Sequence, residues 1–128
     1  MGSTKNFFAK KKRWSRFKDT ILEHYLVPYT AKIGSTGKPL LFVDCFAGKG
    51  KFDDGNPGSP LIFASCIKNY LEKNPGKTLR ALFIEKKYAR ELAENCTGMS
   101  CCVVREGSFE ENIETNLGYG PQYNVFLY

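Results

Sequence analysis

Apolar side chains recur along the first part of the chain at spacings that only a helix brings to one face. Trp14, Phe17, Ile21 and Tyr25 stand three, four and four residues apart, and Leu22 and Leu26 widen the stripe. This predicts an amphipathic helix over 12–27, ended by Pro28, whose ring disfavours helical geometry at the preceding residue. Residues 30–39, with Gly34, Ser35, Thr36 and Gly37, show no period and read as a loop. Then Leu40-Leu41-Phe42-Val43 forms a continuous apolar run rich in strand formers, the pattern of a strand buried on both faces of a parallel sheet. Ser59 is placed to cap a helix with Pro60 at its first position, and Leu61, Ile62, Ala64, Ser65, Ile67 and Leu71 continue it to a stop at Asn74-Pro75-Gly76. Further along, the pattern predicts a strand over 79–84 closed by Glu85, a helix over 88–95 closed near Gly98, a strand over 100–104, a helix over 109–117 and a strand over 123–128. The alternating order implies right-handed crossovers and an α/β, Rossmann-like doubly wound parallel sheet preceded by one amphipathic helix.

Composition narrows the class. In 128 residues the chain is 42% apolar and 25% charged, with ten Phe, seven Tyr and one Trp, which excludes disordered and collagenous chains and allows one domain at most. No apolar run approaches the roughly 18 residues of a membrane span, and the basic N-terminus is not followed by the apolar stretch of a secretory signal. The expectation is a cytoplasmic protein without a membrane partner.

Charge changes the picture more than composition does. Residues 1–40 hold nine basic side chains (Lys5, Lys10, Lys11, Lys12, Arg13, Arg16, Lys18, Lys32 and Lys38) and two acids (Asp19 and Glu23), a net of +7 against +6 for the whole chain. The basicity therefore belongs to the N-terminal arm and helix. Such an arm suits a nucleic-acid phosphate backbone, and it equally suits a solvated leader.

The five cysteines (Cys45, Cys66, Cys96, Cys101 and Cys102) include no C-x-x-C pair, and His24 is the single histidine. An odd count without metal-ligand spacing gives neither a disulfide framework nor a zinc site, so no metal is expected and the thiols read as small buried apolar groups.

The chemistry concentrates in the run LLFVDCFAGKG at 40–50. In an open parallel sheet, ligands bind outside the carboxyl ends of the strands, where glycines allow backbone to approach closely. A dinucleotide fingerprint would need a third glycine three residues after Gly50, and that residue is Asp53. A phosphate-binding G-x-x-x-x-G-K-[ST] loop is not matched by Gly34-Ser35-Thr36-Gly37-Lys38, which has the wrong spacing and runs into Pro39 and a strand. What survives is Asp44 followed by Gly48 and Gly50, with a second acid, Glu85, at the end of the next strand, where a carboxylate can accept ribose hydroxyls. A tight strand-to-helix turn with an exposed strand-end acid is the plainer account of the same residues. The interval between the two acids is 41 residues, about twice that of a compact nucleotide-binding unit, and the excess lies in KFDDGNPGSP at 51–60, a structured loop over the same sheet end. A metal-carboxylate enzyme using Asp53, Asp54 and Glu85 ranks last, because adjacent acids in a glycine-rich turn are common and no histidine completes a site.

Asp44, Gly48, Gly50 and Glu85 together resemble motifs I and II of the class I S-adenosylmethionine-dependent methyltransferases. KKKRWSRFKDTILEHYLVPY followed by FVDCFAGKGKFDDGNPGSPLI resembles, more narrowly, the three-Cys-motif partner proteins over most of residues 7–65. The family name refers to cysteines of the partner, not to the five here. The resemblance implies a class I methyltransferase fold, S-adenosylmethionine as cofactor, a nucleic-acid-related role and a three-Cys-motif protein as partner. It implies that Asp44 lies near the methionine end of the cofactor, that Gly48 and Gly50 give close backbone approach, and that Ala47 and Lys49 share the loop, Lys49 facing the cofactor carboxylate. By the same resemblance Glu85 takes the ribose, and Ser108 and Phe109 stand at the adenine edge. Gly107-Ser108 is also an ordinary strand-to-helix turn with Ser108 as its cap.

Four strands are fewer than the class I fold carries, and the segment that bears catalytic residues in such enzymes follows strand four. The layout expected is a basic arm, helix and loop at 1–39 and the N-terminal half of a methyltransferase-like domain at 40–128, binding cofactor and inactive alone, with catalytic residues unassigned. The alternative is a non-catalytic module on a Rossmann-like scaffold that binds nucleic acid or protein.

Overall fold

The computed structural model describes residues 13–99, 101–116 and 123–128. Lys5, Lys10, Lys11, Lys12, Ser100, Leu117 and the Trp14 side chain, all named above, lie outside the described residues. The elements are α1 (Arg13–Gly34), β1 (Leu40–Asp44), α2 (Ser59–Lys73), β2 (Leu79–Glu85), α3 (Ala89–Asn95), β3 (Cys102–Glu106), α4 (Phe109–Asn116) and β4 (Asn124–Leu127). The strands form one all-parallel sheet in the order β3-β2-β1-β4, with Leu40 opposite Leu79 and Asn124, and Ala81 opposite Cys102. An α/β chain with this sheet is compatible with a Rossmann-like fold.

Strand alternation sends β1 to both sides. Leu40 and Phe42 join Leu79, Ala81 and Phe83 in a core with Leu22 and Leu26 of α1, Ile62, Phe63 and Ile67 of α2, and Leu92 of α3. Leu41, Val43 and Cys45 face the other way with Leu82 and Ile84, against Val103, Tyr123 and Phe109 of α4. The larger core is aromatic at its centre: the Phe42 ring lies 5.2 Å from Phe63 and 5.7 Å from Phe126. Burying each of these large side chains contributes about 1.5–3 kcal/mol.

Two expectations about α1 are corrected. The helix does not end at Pro28, and 30–34 is not loop: α1 continues through the proline to Gly34. Proline removes an N–H and one helix bond. Pro28 and His24, whose carbonyl loses that bond, are both solvent-exposed, so the carbonyl stands open to solvent. Leu26 and Thr30 on either side are fully buried and anchor both halves. Beyond Gly34 the hydroxyls of Ser35 and Thr36 donate to the carbonyls of Lys32 and Ile33, each at 2.7 Å, and close the helix. The second correction is the face. Phe17, Ile21 and Tyr25 are 71%, 56% and 52% exposed, and the inward face is Ser15, Asp19, Leu22, Leu26 and Thr30. The first turns of α1 overlie the polar carboxyl end of the sheet rather than its core, so polar groups turn inward there.

Two boundaries also shift. Gly58, not Ser59, caps α2, and the Ser59 hydroxyl serves another purpose described below. Strand β3 runs two residues later than expected, because its pairing aligns Glu106 with Glu85. The fold thus brings the ends of β1, β2 and β3 to one edge of the molecule.

Candidate functional site

The sheet order reverses at β1: the chain leaves it for β2 on one side and returns to β4 on the other. The crevice outside β1 is therefore the place where such sheets bind ligands. The loop that leaves β1 is pinned from all sides. The Cys45 N–H donates to the Tyr128 carbonyl (3.2 Å), and the Ala47 N–H to that of Ile84 (3.0 Å). The Asn95 side chain donates to the Lys49 carbonyl (2.8 Å), and the Gly58 N–H to that of Gly50 (2.8 Å). Gly48 and Gly50 have φ of 72° and 83°, left-handed values that other residues adopt at a cost. At Gly50 a Cβ would also stand 2.7 Å from the Leu92 side chain, so this glycine serves loop packing as well as backbone approach.

Residues 51–57 form a small hairpin rather than a slack insertion. Lys51 bridges Pro57, the Phe52 N–H donates to the Asn56 carbonyl (2.8 Å), and the Asp54 side chain accepts the Asn56 N–H (3.0 Å). Phe52 is buried beneath it. The expected structured loop over the sheet end is present.

Asp44 closes β1 only 2% exposed. It accepts a 2.5 Å hydrogen bond from the Ser59 hydroxyl at the start of α2, and the Phe46 N–H also donates to it. Burial pushes its pKa up to about 6, the two hydrogen bonds oppose this, and the nearby Asp19 charge adds to it. Tyr128, pushed up to about 12 by burial, also feels Asp19 and Asp44. Lys18 lies over the Tyr128 ring, 5.2 Å from its centre.

Glu85 ties the loop to β2. Its Oε1 accepts the Gly48 N–H at 2.8 Å, and its Oε2 accepts those of Lys87 and Tyr88, each at 3.0 Å. A carboxylate has about four acceptor positions, and among the described residues these three bonds take one on Oε1 and two on Oε2. The Gly107 N–H donates to the Glu85 carbonyl (3.0 Å), which sets Ser108 and Phe109 next along the same sheet end. The Ser108 hydroxyl accepts the Glu111 N–H (3.2 Å) as the cap of α4, and Phe109 packs under the sheet. Lys49 pairs with Asp53 at 3.5 Å and lies 5.2 Å from the centre of the Tyr88 ring.

A cleft of about 180 Å³ opens between this loop and the first turns of α1. Of the eight residues expected at a cofactor, Ala47, Gly48, Lys49 and Gly50 line it; Asp44 lies beneath it, bonded to the lining Ser59, and Glu85, Ser108 and Phe109 continue along the strand ends outside it. Sequence reasoning missed Ser15, Lys18, Asp19 and Tyr128, which form its other wall. A signal existed. Ser15 and Asp19 occupy the helix face continued by Leu22 and Leu26, and polar residues in line with a core face mark a place where that face looks onto something other than core. Among the described residues no group of His, Cys, Asp and Glu could hold a metal, the cysteines are free thiols, and no helix is long and apolar enough to cross a membrane. No family model, curated protein or solved structure matches the chain.

Proposed function

We propose that this chain is the S-adenosylmethionine-binding part of a cytoplasmic class I methyltransferase. The observation that carries the reading is the glycine loop at the switch point, locked by the Gly48 N–H to Glu85 and opening onto a cleft at the end of β1. The residues present fit the cofactor. Gly48 and Gly50 keep the loop low, the Glu85 carboxylate stands at the end of β2 for a ribose hydroxyl, and Lys49 and Lys51 stand on the loop side for a carboxylate. When bound, the cofactor supplies an electrophilic methyl group on a sulfonium. The part assigned to this chain is positioning: a loop fixed on both sides holds its ligand without reorganising, and orientation is a large share of what a transfer reaction needs.

Calorimetry with S-adenosylhomocysteine tests this. The wild-type protein binds, and Glu85→Gln, which keeps the shape but loses the charge, binds more weakly at unchanged secondary structure. No heat at saturating ligand, or equal affinity in both proteins, contradicts the reading.

A second reading, a surface for nucleic acid or for a three-Cys-motif protein, is favoured by the outer flank of α1. There the exposed Phe17, Ile21 and Tyr25 run beside the exposed Arg13 and Arg16. Basic groups interleaved with aromatic rings suit single strands, whose bases stack while their phosphates pair. Binding of a single-stranded oligonucleotide that weakens with salt and is lost in Arg13→Ala/Arg16→Ala supports nucleic acid; salt-independent binding of a protein partner supports the other.

A further inference from the structure

At the end of the sheet opposite the glycine loop, Cys96, Cys101 and Cys102 gather where α3 gives way to β3. Cys96 closes α3, its N–H donating to the Leu92 carbonyl (3.0 Å). The Met99 N–H then donates to the Cys96 carbonyl and the Cys102 N–H to that of Met99, each at 3.1 Å, so the chain coils before it enters the sheet. The coil overrides strand alternation, which would send Cys101 to the face of Val103 and away from Cys102 and Val104. Instead Cys101 and Cys102 pack against the same core, their Sγ atoms 3.7 Å apart, while Val103 faces the other core. A groove of about 740 Å³ between α2 and this turn reaches the pair, with Met99 and Cys101 on one side and Leu61, Ala64 and Leu71 on the other.

Neighbouring thiols can close a disulfide, attack an electrophile or share a soft ion. Consecutive Cα atoms stand about 3.8 Å apart, short of the roughly 4.4–6.8 Å that disulfides span, so a bond between Cys101 and Cys102 would strain the chain. Burial, then the thiols of Cys101 and Cys96, push Cys102 up, and burial and Cys101 push Cys96 up to about 11, which makes both poor nucleophiles. A cation meets neither obstacle, since it holds two sulfurs without joining them and expels their protons as it binds. Among the described residues no three His, Cys, Asp or Glu groups converge on a metal position, so zinc, which takes three or four protein ligands, has no site here. Copper(I) is soft, selects thiolates and accepts two ligands.

We propose that Cys101 and Cys102 form a two-thiolate site for a soft monovalent cation of the copper(I) class, reached along the groove beside Met99. Two S–H bonds give way to two S–Cu bonds, both protons leave to water and no electron changes hands. The site lies at the amino end of β3, away from the loop that leaves β1, and owes nothing to the cofactor reading.

The test titrates the reduced full chain without oxygen with copper(I), using bicinchoninate as the competing coloured chelator. Wild type is expected to take one equivalent from the chelator and Cys66→Ser to do the same. Cys102→Ser is expected to weaken uptake by more than the roughly 10–100-fold that follows loss of a group merely supporting a ligand. Because a serine at a half-buried position can unfold the chain, the site is also located on wild type: bound copper(I) protects Cys101 and Cys102 from alkylation, read by mass spectrometry, and leaves Cys66 labelled as before. No uptake by wild type, undiminished uptake in folded Cys102→Ser, or protection that misses Cys101 and Cys102 overturns the site. Zinc(II) held as tightly as copper(I) overturns its two-sulfur character.

Discussion

Asp44 holds its proton more tightly in the folded chain than in the unfolded one, because burial penalises its charged form more than Ser59 and Phe46 relieve it. Its pKa rises from 3.8 to about 6, and the sign of the consequence follows. The stabilisation from this group is complete below about pH 4 and is lost as pH rises through about 6, an effect on the order of 3 kcal/mol. Comparing unfolding free energy from pH 4 to 7 in wild type and Asp44→Asn isolates it: the wild type loses stability relative to the variant across that window, and parallel profiles contradict the assignment. Gly50 makes a second residue-scale prediction. Its φ of 83° and the nearness of the Leu92 side chain make Gly50→Ala destabilising by about 1–3 kcal/mol, read by denaturant unfolding, and an unchanged midpoint would show that the loop has another conformation available.

At the scale of elements α1 is the instructive case. Its existence was legible from the 3.6-residue period, yet both its end and its inward face were misread. The end was misread because proline in a helix is costly in isolation, whereas here Leu26, Tyr29, Thr30 and Ile33 pack on the sheet and on α2 and hold the turn beyond it. Pro28→Ala restores a backbone donor on the exposed side, and thermal melting is expected to rise, by the equivalent of about 1–3 kcal/mol; a fall would mean that the proline supports a kink the packing requires. The face was misread because an apolar stripe was assumed to be core. The strands, by contrast, were legible from short continuous apolar runs, since β1 and β2 are buried on both sides; β3, half-exposed at the edge, was placed two residues early because its position depends on pairing with β2. The loop half of the candidate site was legible because glycines and acids at a strand end have local meaning. Asp19 was not, because its place in the cleft wall depends on α1 packing across the end of β1, a contact between residues distant in sequence.

The whole molecule places the ends of β1 and β4, one glycine loop and one helix around the cleft, with the ends of β2 and β3 beside it, and the parallel order β3-β2-β1-β4 fixes where that cleft lies. Charge is divided on the same plan. The basic side chains gathered in the first 40 residues include Arg13 and Arg16 on the exposed side of α1, while Ser15, Lys18 and Asp19 of the same helix look onto the cleft. One helix therefore presents a basic, aromatic flank to solvent and Ser15, Lys18 and Asp19 to the cleft, so a macromolecule bound to the outer flank would lie beside the cleft. The most direct measurement of the central claim is an NMR titration of isotope-labelled protein with S-adenosylhomocysteine. Saturable shifts of the Gly48, Gly50, Ser59 and Asp19 amides, with Glu85 and Gly107 following, are the expected result. Amide shifts that stay flat at millimolar ligand, or that gather instead around Thr30 and Cys66 between α1 and α2, would contradict it.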